Sequence, residues 1–579
     1  MHAIADQLEE IVQRRYNRWK NAELPAYLSK ELNELKSAEI IDRFYQDLQL
    51  EDHGIYGITG VGTNRMNIFT IRRVCRGLAE EIKSRGFAAG QRGIAIGYDS
   101  TSFSKGLAEQ AALVLANHEV KCYLFRQPSP AGELAFAVRY LHAAGGLLMS
   151  SGGEASGYSG CTLYDEHGMP VETETNLRLA RYMEQWEDGL HIGLMNVEEA
   201  ARTGRLVFTG EEVASAYLED VERIPVSREI NQIMGASVRI LYIQPGQGEA
   251  GLLRSTLLRS GFTSVHVVQD PKLQSAKSSS QYFELYDWRL ANEAAAEMNA
   301  DLILAFNPQY SELALSIKTE MGKYLVLSHS ETAALLLHYL LRQKNNRGGS
   351  TAGGVLLKSF FTSDLASSIA RKEGIKTINV TGGFGGGASL GKFCRSGNLP
   401  FLFGYDEDGG FAVGGSIAGS DAIQYAVLIA EMSAYFKSRG RTLGKELLDL
   451  YAEHGWFADD RIELTYRGLE GRQRVSFIMG RLSKDALRVV GGLKVEQLYD
   501  FRAREHIQLA KGKHLALDMP RYDALKFIME DGSWYGLRPV SAQPGIQLFL
   551  GSHASDSLAS RRKLAAIRSD VLFMLESML

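Results

Sequence analysis

The sequence predicts a multidomain α/β protein, with three similar α/β domains followed by a smaller α+β domain. Three observations predict it. A strand–helix alternation recurs three times along the chain, which argues for parallel-rich sheets with helices between strands. Beyond residue 461 the pattern mixes helix and strand less regularly and closes on a long helical stretch at 557–578. At 579 residues the chain is too long for one core and suits several domains.

The elements follow in order. Residues 4–20 and 29–48 place apolar and charged residues at helical spacing, so two amphipathic helices are expected ahead of the first domain. The first set has strands at 92–98, 120–125 and 145–150, with helices at 102–117 and 131–141. The second has strands at 238–243, 264–268 and 301–305, with helices near 251–260 and 289–299. The third takes strands at 323–327 and 376–380 and helices at 331–342 and 363–373. The expected units are 1–50 (N-terminal helices), 51–225, 226–320, 321–458 and 459–579.

Composition narrows the classes of function. Hydrophobic content is 45% and charged content 23%, ordinary for a globular protein. A net charge of −4 offers no general attraction to nucleic acid or an anionic membrane. Cys75, Cys122, Cys161 and Cys394 form no CxxC pair, which argues against a zinc knuckle or disulfide framework. The start lacks the basic-then-apolar pattern of a signal peptide, and no apolar run of about 18 residues exists. A cytoplasmic location is expected, with no membrane or nucleic-acid partner.

Motifs read on their own say little. Gly414, Ser416 and Ala418 miss a nucleophile elbow because alanine stands where the second glycine is needed. Gly386, Gly391 and Lys392 fit a phosphate-binding P-loop, but Phe393 replaces the hydroxyl residue that would hold magnesium, and a Gly-rich turn is the plainer alternative. Asp406, Glu407 and Asp408, flanked by glycines, read either as a solvated acidic tip or as a ligand-binding loop.

One stretch carries more. The segment GVGTNRMN at 60–67 resembles the start of long bacterial α-D-phosphohexomutases, the phosphoglucomutase/phosphomannomutase family. The resemblance continues collinearly through GIAIGYDS (93–100), ELAFAVRYLHAAGG (133–146), ADLILAFNP (300–308), FLFGYDEDGGFA (401–412), LIAEMSAYFK (428–437) and LRP (537–539). It implies four domains around a central cleft and an intramolecular phosphotransferase ancestry. It also implies four working loops: a phosphoserine loop, a magnesium loop with three aspartates, a sugar loop with paired carboxylates, and a phosphate-binding loop. The chemistry asks for a serine oxygen to carry the phosphoryl group, carboxylates for a hard cation, and cations facing each phosphate.

Placed on that pattern, this sequence departs at each charge-bearing position. The nucleophile position falls on Gly152, with Gly153 and Glu154 after it, and Ser151 is the fallback nucleophile. The early arginine falls near Tyr56 and the following lysine on Thr162. The three metal-ligand positions fall on Asn307, Gln309 and Ser311, and the next arginine on Glu312. The stretch at 242–248 lacks the family's usual residues. In the phosphate loop Arg538 and Pro539 remain, followed by Val540, Ser541, Ala542 and Gln543. Only the sugar loop stays acidic, with Asp406 and Glu407 on the paired carboxylates and Asp408 where serine is usual. The resemblance therefore implies a divergent member lacking the catalytic motifs. It would be a pseudoenzyme binding a small neutral sugar-like ligand or a protein partner in the former cleft, with no cofactor. The alternatives are an active mutase with non-standard residues, for which magnesium would be needed, and a scaffold or regulator of an active paralogue.

Overall fold

The computed structural model describes residues 2–51, 53–151, 157–171, 173–244, 251–269, 288–348, 353–382, 401–413, 421–466, 468–485, 487–540 and 544–578. Several positions singled out above lie outside them: Gly152, Gly153 and Glu154, residues 245–248, 383–387, Gly391, Lys392, Phe393 and Cys394, residues 414–418, and Ser541, Ala542 and Gln543.

Four sheets follow one another along the chain. In the first, the strands Ile94–Tyr98, Cys122–Phe125, Gly145–Ser151 and Leu206–Thr209 run parallel, and Tyr158–Tyr164 and Gly54–Ile58 extend them antiparallel. Ile94–Tyr98 is buried at every position, as a strand covered on both faces by helices must be. The second sheet sets Leu302–Phe306, Ile240–Gln244 and Val265–Gln269 parallel, then adds Leu313–Lys318 and Tyr324–Val326 antiparallel. The third joins Lys376–Val380, Val355–Ser359 and Phe401–Tyr405 in parallel, with Phe411–Val413 antiparallel. The fourth is antiparallel throughout and is backed by the helices Gly468–Lys484 and Ser557–Ser577. This is the expected fold class, three α/β units and one α+β unit.

Two element expectations need correction. The strand expected at 323–327 does not open the third set. It pairs with Leu313–Lys318 as the outer strand of the second sheet, because the chain turns back in a tight hairpin at Thr319 and Lys323. The helix expected over 29–48 is two helices, Ala26–Glu34 and Ser37–Phe44. Leu35 is extended at the break, and Glu39 folds its side chain back onto the Lys36 N–H to start the second.

The N-terminal helices close a small core of their own with the first unit. Trp19, fully buried, meets the Phe69 ring edge-on at 5.2 Å, and Val12, Leu28, Leu32 and Phe44 surround it. The 60–67 segment is the clasp for this arrangement. Asn67 caps the helix Ile68–Ser84 through Phe69 N and Thr70 N, and its amide donates to the carbonyls of Gly60 and Gly62. Thr63 and Asn64 donate to the Gln46 and Asp42 carbonyls, and Arg65 ion-pairs with Asp42. Gly62 has φ of 123°, and a Cβ there would lie 2.7 Å from the Arg43 carbonyl oxygen, so the close approach needs glycine.

The second and third sheets share one apolar core around the helix Ala422–Lys437, which is buried at every residue except Lys437. Glu431, at its middle, accepts from Val226 N, Ser227 N, Asn231 Nδ2 and Tyr339 Oη. That full set of donors makes the burial of a carboxylate tolerable. No helix among the described residues is long and apolar enough to cross a membrane.

Candidate functional site

The first sheet ends its parallel run at Ser151, where the fallback nucleophile sits. Ser151 is 6% exposed. Its N–H donates to Asp99 Oδ2, its hydroxyl meets the Tyr158 carbonyl at 3.5 Å, and Ser159 Oγ donates to it at 3.1 Å. Asp99 also accepts from Thr101 N and Oγ1, while burial pushes its carboxyl up against those hydrogen bonds. Two strands away, Tyr56 Oη and Thr162 Oγ1 are hydrogen-bonded at 2.5 Å. These two positions carry cations in the resemblance, and here they are neutral and satisfy each other. The Tyr56 ring packs closely against Gly160, where a Cβ would stand 1.9 Å from Cδ1.

The second sheet presents the loop 307–312 after Leu302–Phe306. Asn307 is buried and spends its whole side chain on the loop itself. Its Oδ1 accepts from Ser311 N at 2.9 Å and Glu312 N at 3.1 Å, and its Nδ2 donates to Ser311 Oγ at 2.8 Å. Two helix N-termini grip the loop from outside. Ala131 N, at the start of Ala131–Tyr140, donates to the Gln309 carbonyl, and Ala422 N, at the start of Ala422–Lys437, donates to the Tyr310 carbonyl. Tyr310 sits at φ of 52° and joins its hydroxyl to that of Tyr242. The acids around this loop are all shifted upward by burial. Burial, then the neighbouring Asp421, pushes Glu133 up to about 8. Burial raises Asp421 to about 6 against its Tyr217 and backbone hydrogen bonds. Burial, then repulsion by Asp408, pushes Glu312 well above the usual carboxylate range.

Magnesium, the ion the family resemblance would imply here, does not fit this donor set. Asn307 Oδ1 already takes two N–H donors, and its Nδ2 occupies the Ser311 hydroxyl. Burial and then Asp408 push the loop's one carboxyl, on Glu312, well above the usual carboxylate range, which disfavours its charged form. A hard cation is drawn chiefly by carboxylate charge, which the loop does not offer.

The third and fourth sheets meet at the remaining positions. The acidic turn after Phe401–Tyr405 is not a solvated tip: Asp406 is 1% and Glu407 6% exposed. Asp406 Oδ1 accepts from Asp408 N and Gly410 N, so this side chain shapes the turn. Glu407 and Asp408 reach across to the fourth sheet. Arg538, on Trp534–Pro539, donates from Nη1 to Glu407 Oε1 at 2.6 Å and to Tyr522 Oη at 3.0 Å. Its Nη2 donates to Asp408 Oδ2 at 3.3 Å and to Gln547 Oε1 at 2.6 Å, and its Nε also donates to Gln547. Arg461, on Trp456–Thr465, donates from Nη1 to Asp408 Oδ1 at 2.7 Å. Burial opposes charge on Asp408, but Arg538 and then Arg461 outweigh it and hold its carboxyl down at about 2. Beneath this network the interface is apolar. Phe361 stacks on Phe549 at 5.0 Å, and Phe501, Ala524 and Trp534 complete the cluster.

The structure thus brings Glu407, Asp408 and Arg538 into one ion-paired junction and keeps Asn307 and Ser311 in a separate self-closed loop. Ser151 belongs to a third cluster with Asp99 and Ser159. Sequence reasoning missed Arg461, Tyr522 and Gln547, which are single polar residues with no motif around them. It also missed Lys526, which is 5% exposed and lies over the Trp534 ring at 4.0 Å. A lysine inside the apolar strand Leu525–Met529 was a readable sign of a buried charge.

Comparison with known proteins agrees with this architecture. Residues 49–189 match the family described as phosphoglucomutase/phosphomannomutase, alpha/beta/alpha domain I. The chain is 25% identical over 515 residues to a phosphoglucomutase of Staphylococcus haemolyticus, covering 88% of this chain and 90% of that one. A solved protein of Thermus thermophilus assigned to the phosphomannomutases superposes with a TM-score of 0.66 at 17% identity, over 92% of this chain and 99% of that chain. The open form of the Paramecium phosphoprotein pp63/parafusin, a phosphoglucomutase, superposes at 0.60 with 11% identity, over 88% of this chain and 91% of that chain. Residues 49–189 thus match a phosphoglucomutase/phosphomannomutase domain I, and the chain as a whole is similar in sequence to phosphoglucomutases and shares the fold of these solved proteins.

Proposed function

We propose that this chain is a phosphohexomutase-family member that does not perform the mutase reaction, and that its cleft serves binding of a small neutral sugar-like ligand or a protein partner. The observation that carries the reading is the loop 307–312. Its Asn307 side chain is consumed by Ser311 and Glu312 of the same loop, and burial disfavours charge on its one carboxyl, Glu312. Phosphoryl transfer depends on positive charge gathered around the moving group. Here Tyr56 and Thr162 are neutral and mutually bonded, and Arg538 is neutralised by Glu407 and Asp408. Each loss of a charge-assisted hydrogen bond to phosphate gives up about 1.5–3 kcal/mol, so hexose phosphates should be weak ligands. Meanwhile the cores between the loops remain well packed. That contrast supports a retained role other than transfer.

A second reading is an active mutase with non-standard residues. The 25% identity to a phosphoglucomutase across 88% of the chain favours it. A coupled assay for conversion of glucose 1-phosphate to glucose 6-phosphate, with magnesium and repurified protein, separates the two. Absence of turnover is expected. Turnover that survives repurification and is lost in Ser151→Ala would establish the second reading.

A further inference from the structure

Away from the loops described above, the helices His329–Asn346, Leu365–Lys372 and Leu443–His454 enclose a pocket of about 210 Å³. The first of them starts beside the acidic turn, where His329 lies against Gly409. By the rise of an α-helix, His338 to Asn345 lie about 14–24 Å further along it. The pocket is therefore separate from the acidic turn. Its floor is apolar, with the buried side chains of Leu341 and Ile369.

The polar walls divide by what their side chains already hold. Lys372 ion-pairs with Glu453 across two of the helices. His454 Nδ1 meets Ser368 Oγ at 3.1 Å, and His338 Nε2 lies 3.6 Å from the buried Glu446 carboxylate. Three lining side chains are left, Arg342, Asn345 and Glu373, with no hydrogen bond or ion pair among the described residues. Arg342 acts on Glu446 only as a more distant charge. The arginine, lysine and glutamate charges of the lining balance, with Arg342 and Lys372 against Glu373 and Glu453. Net charge therefore selects neither a lone anion nor a lone cation. All three helices also end here, with Asn345, Lys372 and Glu453 in their last turns. Helix C-termini carry partial negative charge and favour cations, which adds to Glu373 in attracting an ammonium. Arg342 and Asn345 offer N–H donors to a carboxylate.

We propose that this pocket is a second ligand site that takes a small zwitterion, an α-amino acid with a branched aliphatic side chain. Its carboxylate meets Arg342 and Asn345, its ammonium meets Glu373, and its side chain covers Leu341 and Ile369. A few convergent polar groups over an apolar floor is the usual construction of a small-molecule site. The proposal goes beyond the reading of the chain as a non-mutase and holds whether or not the chain turns over hexose phosphates.

The test uses the full chain and L-leucine, titrated by calorimetry and by thermal denaturation. Two analogues each lack one charge: 4-methylpentanoate has no ammonium, and leucinamide has no carboxylate. L-leucine is expected to bind saturably and to raise the melting midpoint, and each analogue to bind at least about tenfold more weakly. Arg342 and Glu373 are exposed, so Arg342→Met and Glu373→Gln are expected to fold as the wild type does. Each is expected to weaken L-leucine at least about tenfold. In Arg342→Met, L-leucine and leucinamide are expected to bind alike, because the partner of the carboxylate is gone. No saturable binding of L-leucine up to about 20 mM overturns the proposal. So does equal affinity for L-leucine and either analogue in the wild type, or an affinity undiminished in either variant. The wild-type arm decides the matter even should a variant fail to fold. No mutase assay is involved, so the outcome stands or fails separately from the proposed function.

Discussion

The loop 307–312 and the junction of Glu407, Asp408, Arg461 and Arg538 answer the same physical problem in opposite ways. In the loop an amide serves its own backbone, and burial raises the acids around it, Glu133 to about 8 and Asp421 to about 6. The junction keeps its charges and cancels them across two sheets, with Asp408 held down at about 2. Either arrangement leaves little free charge for a phosphate or a metal ion. The first does so inside one loop. The second also ties the third and fourth sheets together, so its side chains contribute to how the two units sit on each other.

The largest effect is expected at Arg538. Arg538→Met leaves Glu407, whose side chain is 2% exposed, without its cation. Breaking a buried pair from one side costs about 3–5 kcal/mol, so a large drop in the melting midpoint is expected, with partial recovery in Arg538→Lys. A melting curve unchanged in Arg538→Met would show the junction to be energetically idle.

Glu133 tests the neutral side. Its folded-state carboxyl is raised to about 8 from the ordinary value of 4.5, so between those values the native state holds a proton that the unfolded state has lost. Stability from this group is therefore intact below about pH 4.5 and is lost progressively as pH rises to about 8. Glu133→Gln removes the penalty. Its melting midpoint is expected to exceed that of the wild type at pH 9, by a free energy on the order of a few kcal/mol, and to converge with it near pH 5. A constant offset across that range would mean Glu133 is ionised in the fold.

Asn307→Ala removes three hydrogen bonds from a buried loop and leaves the Ser311 and Glu312 N–H groups without their acceptor, at a cost of about 1–3 kcal/mol. Asn307→Asp keeps an acceptor for both and is expected to lose less in a denaturant melt. The smallest effect is expected for Tyr56→Phe, which gives up one partly exposed hydrogen bond to Thr162, about 0.5–1.5 kcal/mol.

Much of the fold was legible because its strands and helices carry strong local signals. The helix at 102–117 and the strand at 376–380 coincide with Ser102–Asn117 and Lys376–Val380. The helix Ala422–Lys437 carries no such signal, since all of its faces are buried and an apolar stripe never forms. Its segment stood out only through the family resemblance. The site divides similarly. Asn307 and Arg538 were reached by collinear placement on known loops, while Glu407 and Asp408 also stood out as a glycine-flanked acidic cluster. The pairing of Arg461 with Asp408 was not, because the two lie 53 residues apart and only the strand Trp456–Thr465 lying against the acidic turn brings them together. Nor did the sequence reveal that the acidic turn is buried, since flanking glycines suit an exposed tip and a close-packed turn equally.

If the charge-bearing loops do not support phosphoryl transfer, as proposed, the chain takes up no phosphoryl group from a sugar bisphosphate. The most direct measurement is intact mass analysis of repurified protein after incubation with a hexose 1,6-bisphosphate and magnesium, followed by peptide mapping of 145–171. The account expects an unmodified chain. A stoichiometric phosphoryl adduct on Ser151 that is discharged by glucose 6-phosphate would contradict it.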